Sequence, residues 1–466
     1  MTRSAPATRS PYVILLICGL PFLMETLDGT VVNVALPSIA KELHSSLQSL
    51  QWIVSAYILV IASTVIMAGM LADRFGRRRI LLIGVVVFTV GSIFCSTVTS
   101  EEMLIGMRAF QAIGAAMISP ATMSIVTNVF TGTRRATALG WWSVFGSVGL
   151  AIGPLIGGLL VQSFGWRSIF WVNVVPGIAA IILLLVFVPE SRATRPKPFD
   201  PIGQVLLITF VVPLVFVVIE TSRLGWTSPF IIGAAAVAVV SLIGLFLYER
   251  PKPEALIPVD LFANAAFRTA ILTLMCGVLA AGATMFTASL FLQNYRGLTA
   301  LEAGLFTMPM AVASMVAALL ASKLVAKGQS RMVLLFAGAT IAVAGLVFWI
   351  TADGIVWFML IAFFVMGVGF GALNDPVNVT AISQLPDEKA GLAASLISTS
   401  RQFGQVLGVA IAGALIGTGL GADMKSGFAQ AAVPVWILLV IAGVVIFVLN
   451  ALHRTSAAKG AATMKA

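Results

Sequence analysis

Apolar residues arrive along this chain in long blocks separated by short polar connectors. Each block runs to about 20 residues, the length at which a helix crosses a hydrocarbon core of ~30 Å. Membrane-spanning strands would show short alternating stretches instead. The blocks do not alternate, so the pattern predicts helices. Six blocks cover 12–36, 50–72, 79–98, 103–128, 136–160 and 168–188; two follow at 202–220 and 229–248; six more cover 267–293, 301–322, 332–351, 355–382, 391–416 and 431–450. Fourteen spans put both termini on one side. The longest polar connectors, 189–201 and 249–266, bracket the seventh and eighth spans. The expected organisation is a six-helix bundle (1–190), a two-helix insert with its connectors (191–262) and a second six-helix bundle (263–466).

Charge supplies the orientation. With the termini in the cytoplasm, 21 Lys and Arg residues fall inside and five outside, while Arg108 and Arg401 lie within spans. Loop cations favour the cytoplasmic side, so this bias selects that orientation. Composition agrees with membrane residence: 59% of residues are hydrophobic and only 10% are charged, too few to cover a soluble protein of 466 residues. The net charge of +10 sits in short clusters between apolar blocks, and no aromatic-basic surface points to nucleic acid. The first apolar run follows Arg3 and Arg9 like a signal peptide. It contains Glu25 and Asp28 and lacks a small-residue cleavage site, so it reads as a retained first helix. Cys18, Cys95 and Cys276 fall in apolar blocks and are expected to pack. His44 and His453 form no metal constellation, and no cofactor is expected.

Charges inside spans cost roughly 2.5–3.5 kcal/mol each on insertion scales and are default functional candidates. Here they are Glu25 and Asp28 in span 1, Arg108 in span 4, Asp375 in span 12 and Arg401 in span 13. Glu220 and Glu302 lie near outer span ends, where a solvated interfacial carboxylate is the blander reading. At ~1.5 Å rise per residue, Glu25 falls near the middle of span 1 and Asp28 about 5 Å further out. Arg108 falls at about the depth of Asp28, which makes a pair plausible. Arg401 has two open readings: a charge that satisfies a neighbouring carbonyl or acid, or a functional group.

Four segments carry a family resemblance. The connector after span 2 reads Gly69-Met70-Leu71-Ala72-Asp73-Arg74-Phe75-Gly76-Arg77-Arg78-Arg79. Span 4 carries Leu104, Arg108, Gln111 and Gly114-Ala115-Ala116. Span 5 carries Gly140, Gly149, Gly153-Pro154 and Gly157-Gly158. Span 1 reads Leu27-Asp28-Gly29-Thr30-Val31-Val32-Asn33-Val34-Ala35-Leu36-Pro37. Together these resemble the loop, arginine, antiporter and first-helix motifs of the major facilitator superfamily, in its branch of fourteen-helix drug:proton antiporters. The superfamily often has glycine where this chain has Ala112. A weak internal repeat agrees: Gly149, Gly153 and Gly157 in span 5 match Gly404, Gly408 and Ala412 in span 13.

The resemblance implies an all-α major facilitator fold, both termini cytoplasmic, in the cell membrane. It implies export of lipophilic, often cationic, compounds against protons by alternating access. It implies that Gly69, Asp73, Arg74, Gly76 and Arg77 latch one state, with Asp73 facing the start of span 13. The second-half loop, Lys323 to Arg331, lacks an acid, so the latch would be one-sided. Gly149, Gly153, Pro154, Gly157 and Gly158 would form a helix that controls closure of the cytoplasmic side. Spans 1, 4, 9 and 12 would line the cavity. The polar residues concentrated on them include Glu25, Asn33, Gln111, Gln293, Asn294, Asn374, Asp375 and Asn378. A carboxylate in a low-dielectric cavity favours its neutral form unless a cation stands nearby. Glu25 and Asp375 have no obvious adjacent cation and are the expected proton carriers, with Asp28 held by Arg108. The expected partners are the bilayer, lipophilic small molecules and protons, with no nucleic acid; the sequence specifies no periplasmic or outer-membrane partner. Two alternatives stay open: a dedicated exporter of one metabolite or antibiotic, and a membrane-embedded enzyme. The last has no His cluster, nucleophile motif or phosphate loop to support it, and Gly367, Gly369 and Gly371 lie within a span.

Overall fold

A lipid solvent offers no partner to a bare peptide group, so each span closes its own backbone hydrogen bonds as a helix. The computed structural model describes residues 10–193, 200–252, 259–352, 354–382, 387–419 and 427–452. It is all-helical, and no strand occurs among the described residues. The first six spans are α1 (Pro11–Leu43), α2 (Leu47–Phe75), α3 (Arg77–Thr97), α4 (Glu101–Val129), α5 (Thr133–Phe164) and α6 (Ser168–Phe187). The insert is α7 (Pro201–Leu224) and α8 (Pro229–Glu249). The last six are α9 (Ala265–Tyr295), α10 (Ala300–Ala326), α11 (Ser330–Thr351), α12 (Val356–Ile382), α13 (Asp387–Gly419) and α14 (Phe428–Leu452). Each predicted block corresponds to one of these spans. Thirteen of them are long and apolar enough to cross a membrane. The other, α13, is 33 residues long and carries Arg401, Gln402 and Gln405 along its middle.

Two spans are interrupted. α6 breaks at Val172 and Asn173, between helical segments Ser168–Trp171 and Val174–Phe187. α12 breaks at Ala372 and Leu373, between Met359–Gly371 and Asn374–Ile382. The α6 break carries the amide of Asn173, and the α12 break is followed directly by Asn374 and Asp375. α9 ends in a π-helical turn, Phe291–Tyr295.

Lipid tails are as apolar as leucine, so helices associate through close packing where small residues allow it. α5 lies along α1 in this way. A Cβ on Gly149 would meet Thr26 Oγ1 at 2.1 Å, one on Gly153 would meet Thr30 Oγ1 at 2.0 Å, and one on Gly157 would meet Val31 Cγ2 at 2.6 Å. The second half repeats the device. A Cβ on Gly404 would stand 2.8 Å from the Met275 carbonyl oxygen of α9, and one on Gly408 would stand 2.2 Å from that of Leu279. The spacing seen in the sequence is therefore a packing repeat: α5 on α1, α13 on α9.

The first and last six spans meet along their outer halves. Gln51 Nε2 at the outer start of α2 donates to the Ala410 carbonyl of α13 at 2.8 Å. Gln293 Nε2 of α9 donates to the Val34 carbonyl of α1 at 2.9 Å, and Ser289 Oγ donates to the Asn33 carbonyl. Among the described residues these are the side-chain hydrogen bonds between the two groups of six. The backbones are closest there as well. Gly158 of α5 faces the Ala300 carbonyl of α10, and Gly304 of α10 faces the Pro154 carbonyl of α5, each with room for hydrogen only. The bundle is closed on its outer side.

The insert α7–α8 sits beside this seam. α7 touches both α2 and α13. Its hydrogen bonds go to α2: Trp52 Nε1 donates to Glu220 at 2.8 Å, Gln48 Nε2 to Ser222 Oγ at 3.3 Å, and Gln204 to the Ser63 carbonyl. Toward α13 it presents Phe210 to Phe403. Val239, Val240, Ile243, Phe246 and Leu247 of α8 are exposed, the surface expected against acyl chains.

Candidate functional site

α1 and α4 bring the first-half charges together. Asp28 is completely buried and Arg108 nearly so. Arg108 Nη1 stands 2.5 Å from Asp28 Oδ2. The same nitrogen donates to Gln111 Oε1 at 2.7 Å. The other carboxylate oxygen is held by neutral amides: Gln111 Nε2 at 3.1 Å and Asn173 Nδ2 at 2.8 Å. Both amides also donate to Ser92 Oγ of α3, at 2.7 and 3.4 Å. The Tyr57 ring of α2 lies 3.9 Å below the Arg108 guanidinium, and the Phe170 ring of α6 lies at 5.7 Å. The cluster thus draws on α1, α2, α3, α4 and α6. A buried pair recovers its desolvation only when further hydrogen bonds satisfy its remaining valences. Both Asp28 oxygens meet that condition; Arg108 Nε has no hydrogen-bond partner among the described residues.

Sequence reasoning placed Asp28 beside Arg108 and named Gln111. It missed Ser92, Tyr57 and Asn173. One signal was legible for Asn173, the single amide in the apolar run of span 6.

Glu25 lies one turn from Asp28 toward the cytoplasm. It is buried, faces the Ser119 backbone of α4 and stands within electrostatic reach of Asp28. Its Oε2 is buried without a hydrogen-bond partner. No cation pairs with it among the described residues. Glu25 is thus a poorly satisfied acid next to a fully satisfied one.

In the second half, Asp375 lies in the first turn of the inner α12 segment, where helix dipoles favour negative charge. It is half-buried, as are Asn374 and Asn378. Arg401 Nη1 of α13 donates to Asn374 Oδ1 at 2.6 Å. A cation therefore reaches the residue beside Asp375, which its distance along the chain had concealed. Of the two readings of Arg401, the contact matches the first, since it satisfies a side-chain carbonyl. No hydrogen bond joins Glu25 to Asp375 among the described residues.

Other residues expected along a cavity take part in the contact between the two groups of six. The backbone carbonyl of Asn33 and the side chain of Gln293 belong to the outer seal. Asn33 Oδ1 and Asn294 Nδ2 are buried and unpartnered. A small cavity beside the seal is lined by Thr30, Asn33, Pro154, Met285, Ser289 and Thr307. Pro154 and Gly158, expected to govern closure on the cytoplasmic side, make their contact with the opposite half in the outer half of α5.

The loop motif is tied to its own half. Asp73 accepts from Arg77 at 2.9 Å, and its backbone carbonyl accepts from Ala193 N at 3.0 Å. Gly76 adopts φ 120°, a conformation that favours glycine, and its missing side chain leaves room for the Glu190 carboxylate. Glu190 accepts from the backbone N–H of Arg78 and Arg79, each at 3.1 Å, and so caps the N-terminus of α3. Arg78 in turn bonds the Val188 carbonyl at 3.0 Å. Glu190 was not singled out in the sequence. The start of span 13, expected opposite Asp73, has its first side chains outside the described residues.

The chain matches the family description Major Facilitator Superfamily over residues 20–221 and 204–409. It is 34% identical over 419 residues to the multidrug resistance protein Stp of Mycobacterium tuberculosis, a match covering 90% of this chain and 78% of that one. It is 32% identical over 433 residues to the tetracenomycin C resistance and export protein of Streptomyces glaucescens, covering 91% and 79%. Its fold resembles the crystal structure of a bacterial homologue of the human lysosomal transporter Spinster, with a TM-score of 0.69 at 18% identity, covering 96% and 98% of the two chains.

Proposed function

Because this chain belongs to the major facilitator superfamily of membrane transporters, we propose that it is a proton-coupled antiporter that exports lipophilic, often cationic, drugs by alternating access. The observation that carries the proposal is Glu25: a buried carboxylate with an unpartnered oxygen, one helical turn from a sealed Asp28–Arg108 pair. The name of the Streptomyces relative, a resistance and export protein, supports the direction of transport, and the drug-resistance names of both relatives support the substrate class.

The moving units in this reading are the halves 1–190 and 263–466, with the outer seal as the contact that opens. While the outer side is closed, a lipophilic cation entering from the cytoplasm favours ionised Glu25 and displaces its proton inward. Asp375 at the α12 break serves the second half in the same way. Opening outward exposes the acids to a more acidic medium, and protonation releases the drug, which crosses chemically unchanged. Asp28 stays paired with Arg108 while the first-half cluster is intact. Apolar walls with Met and Phe side chains tolerate many ligand shapes.

The test is substrate-induced proton release from the purified protein, together with proton-driven efflux in liposomes. Glu25→Gln is expected to lower proton-driven efflux at least about tenfold, the effect of losing ~1.4 kcal/mol of coupling, while substrate still binds. Asp375→Asn is expected to weaken coupling as well. If both variants exchange drug for protons at the native rate, the assignment is wrong.

A second reading has one observation in its favour. The Streptomyces relative is named for a single antibiotic. A panel of unrelated dyes and biocides separates the two: protection against many supports a multidrug exporter, protection against one supports a dedicated exporter.

A further inference from the structure

Arg108 alone does not satisfy Asp28. It offers a single nitrogen, Nη1, to one oxygen, and shares that nitrogen with Gln111. The second oxygen, Oδ1, depends on two neutral amides, and the shorter of those bonds comes from Asn173 at 2.8 Å. Asn173 is itself buried. Its Nδ2 is divided between Asp28 Oδ1 and Ser92 Oγ.

The backbone around Asn173 is built to hold it there. The residue sits at the interruption of α6, where its N–H bonds the Phe170 carbonyl and its carbonyl accepts from Gly177 N. Gly177 lies so close to Thr89 of α3 that a Cβ would meet Thr89 Oγ1 at 2.2 Å. The side chain is therefore aimed at Asp28 by a helix pinned against α3. An apolar residue would fill this place at lower desolvation cost if packing were its only task.

We propose that Asn173 is a positioning residue that holds the Asp28 carboxylate turned toward Arg108, and that the acidity at which Asp28 takes up a proton depends on this contact. The proposal rests on the antiport reading for its use, though not for its chemistry. Protonation at Oδ1 would place an O–H where an N–H now points, and one of the two must turn away. A donor to the charged form opposes that step, and removing the donor eases it. The other titratable or charged groups around Asp28 are Glu25 on its own helix, Tyr57 on α2, Cys95 on α3 and Arg108 on α4. All are unchanged when Asn173 alone is replaced.

The experiment is infrared difference spectroscopy of the purified full-length protein as pH is lowered, which reads the carboxyl C=O band directly and needs no transport. The Asp28 band is identified by its loss in Asp28→Asn. In Asn173→Leu it should appear about one pH unit higher than in the native protein, the effect of one hydrogen bond to a charged group. Asn173→Gln, which keeps the amide, should titrate closer to the native protein than Asn173→Leu does. The proposal is overturned if the leucine variant titrates with the native protein, or if no Asp28 band develops in either. Substrate-driven proton exchange, measured on the same native preparation, tests antiport separately: its absence would sink that reading and leave the infrared result standing.

Discussion

A buried ion pair is costly to form and more costly to break. Asp28 and Arg108 sit at the meeting of five helices, with both carboxylate oxygens bonded and a tyrosine ring under the guanidinium. Removing one partner strands the other in a medium that cannot solvate it. Arg108→Ala should therefore destabilise the purified protein by about 3–5 kcal/mol, seen as a lower unfolding midpoint in detergent. The double variant Asp28→Asn, Arg108→Ala should recover part of that loss, because no charge is left behind. A single variant that melts like the native protein would show that water reaches this cluster. Glu25 makes the contrast: its unpartnered Oε2 leaves little for Glu25→Gln to lose in stability. One turn of helix thus separates a carboxylate bonded at both oxygens from one with an unpartnered oxygen among the described residues.

Helices are the scale at which the sequence was most legible, and the reason is the solvent. Lipid permits one backbone solution per span, so block length alone predicted the helices, and loop cations oriented them. The helical rise also matched the depth of Asp28 to that of Arg108. Rotation about each axis was not legible. Whether Ser92 or Tyr57 turns toward α1 depends on packing between spans far apart in the chain. Asn33 and Gln293 were expected along a cavity; both also join the outer seal, and a polar residue in a span reads the same in either role. The glycine spacing was legible as close packing, and the structure adds which face it serves. A Cβ on Gly153 would meet Thr30 Oγ1 at 2.0 Å, so Gly153→Ala overpacks the α1–α5 contact. Such strain typically costs 1–3 kcal/mol. Thr30→Ala in the same protein should restore most of the loss, because it removes the atom in conflict. Thermal midpoints of the two single variants and the double variant decide the matter: purely additive losses would mean that the two residues do not collide.

On the scale of the whole molecule, the two groups of six helices meet along their outer halves, and the proposed alternating access would need that contact to open. The seal includes a few hydrogen bonds and two backbone approaches, Gly158 on Ala300 and Gly304 on Pro154. A further glycine contact lies between α2 and α13, where Gly413 faces Gln51 with the Gln51 side chain 2.2 Å from an added Cβ. That proximity suits a reversible lock, since disulfides need Cβ atoms roughly 3.5–4.5 Å apart. In a Cys276→Ser background, which removes the more accessible of the native thiols, Gln51→Cys with Gly413→Cys should cross-link under mild oxidation. Cross-linked protein should transport at least about tenfold more slowly, and a reductant should restore the rate, while either cysteine alone should be indifferent to oxidant. If the outer halves must part on every cycle, no cross-linked molecule can complete one. Full transport by a population shown to be cross-linked would place the moving contact somewhere other than the α2–α13 seam.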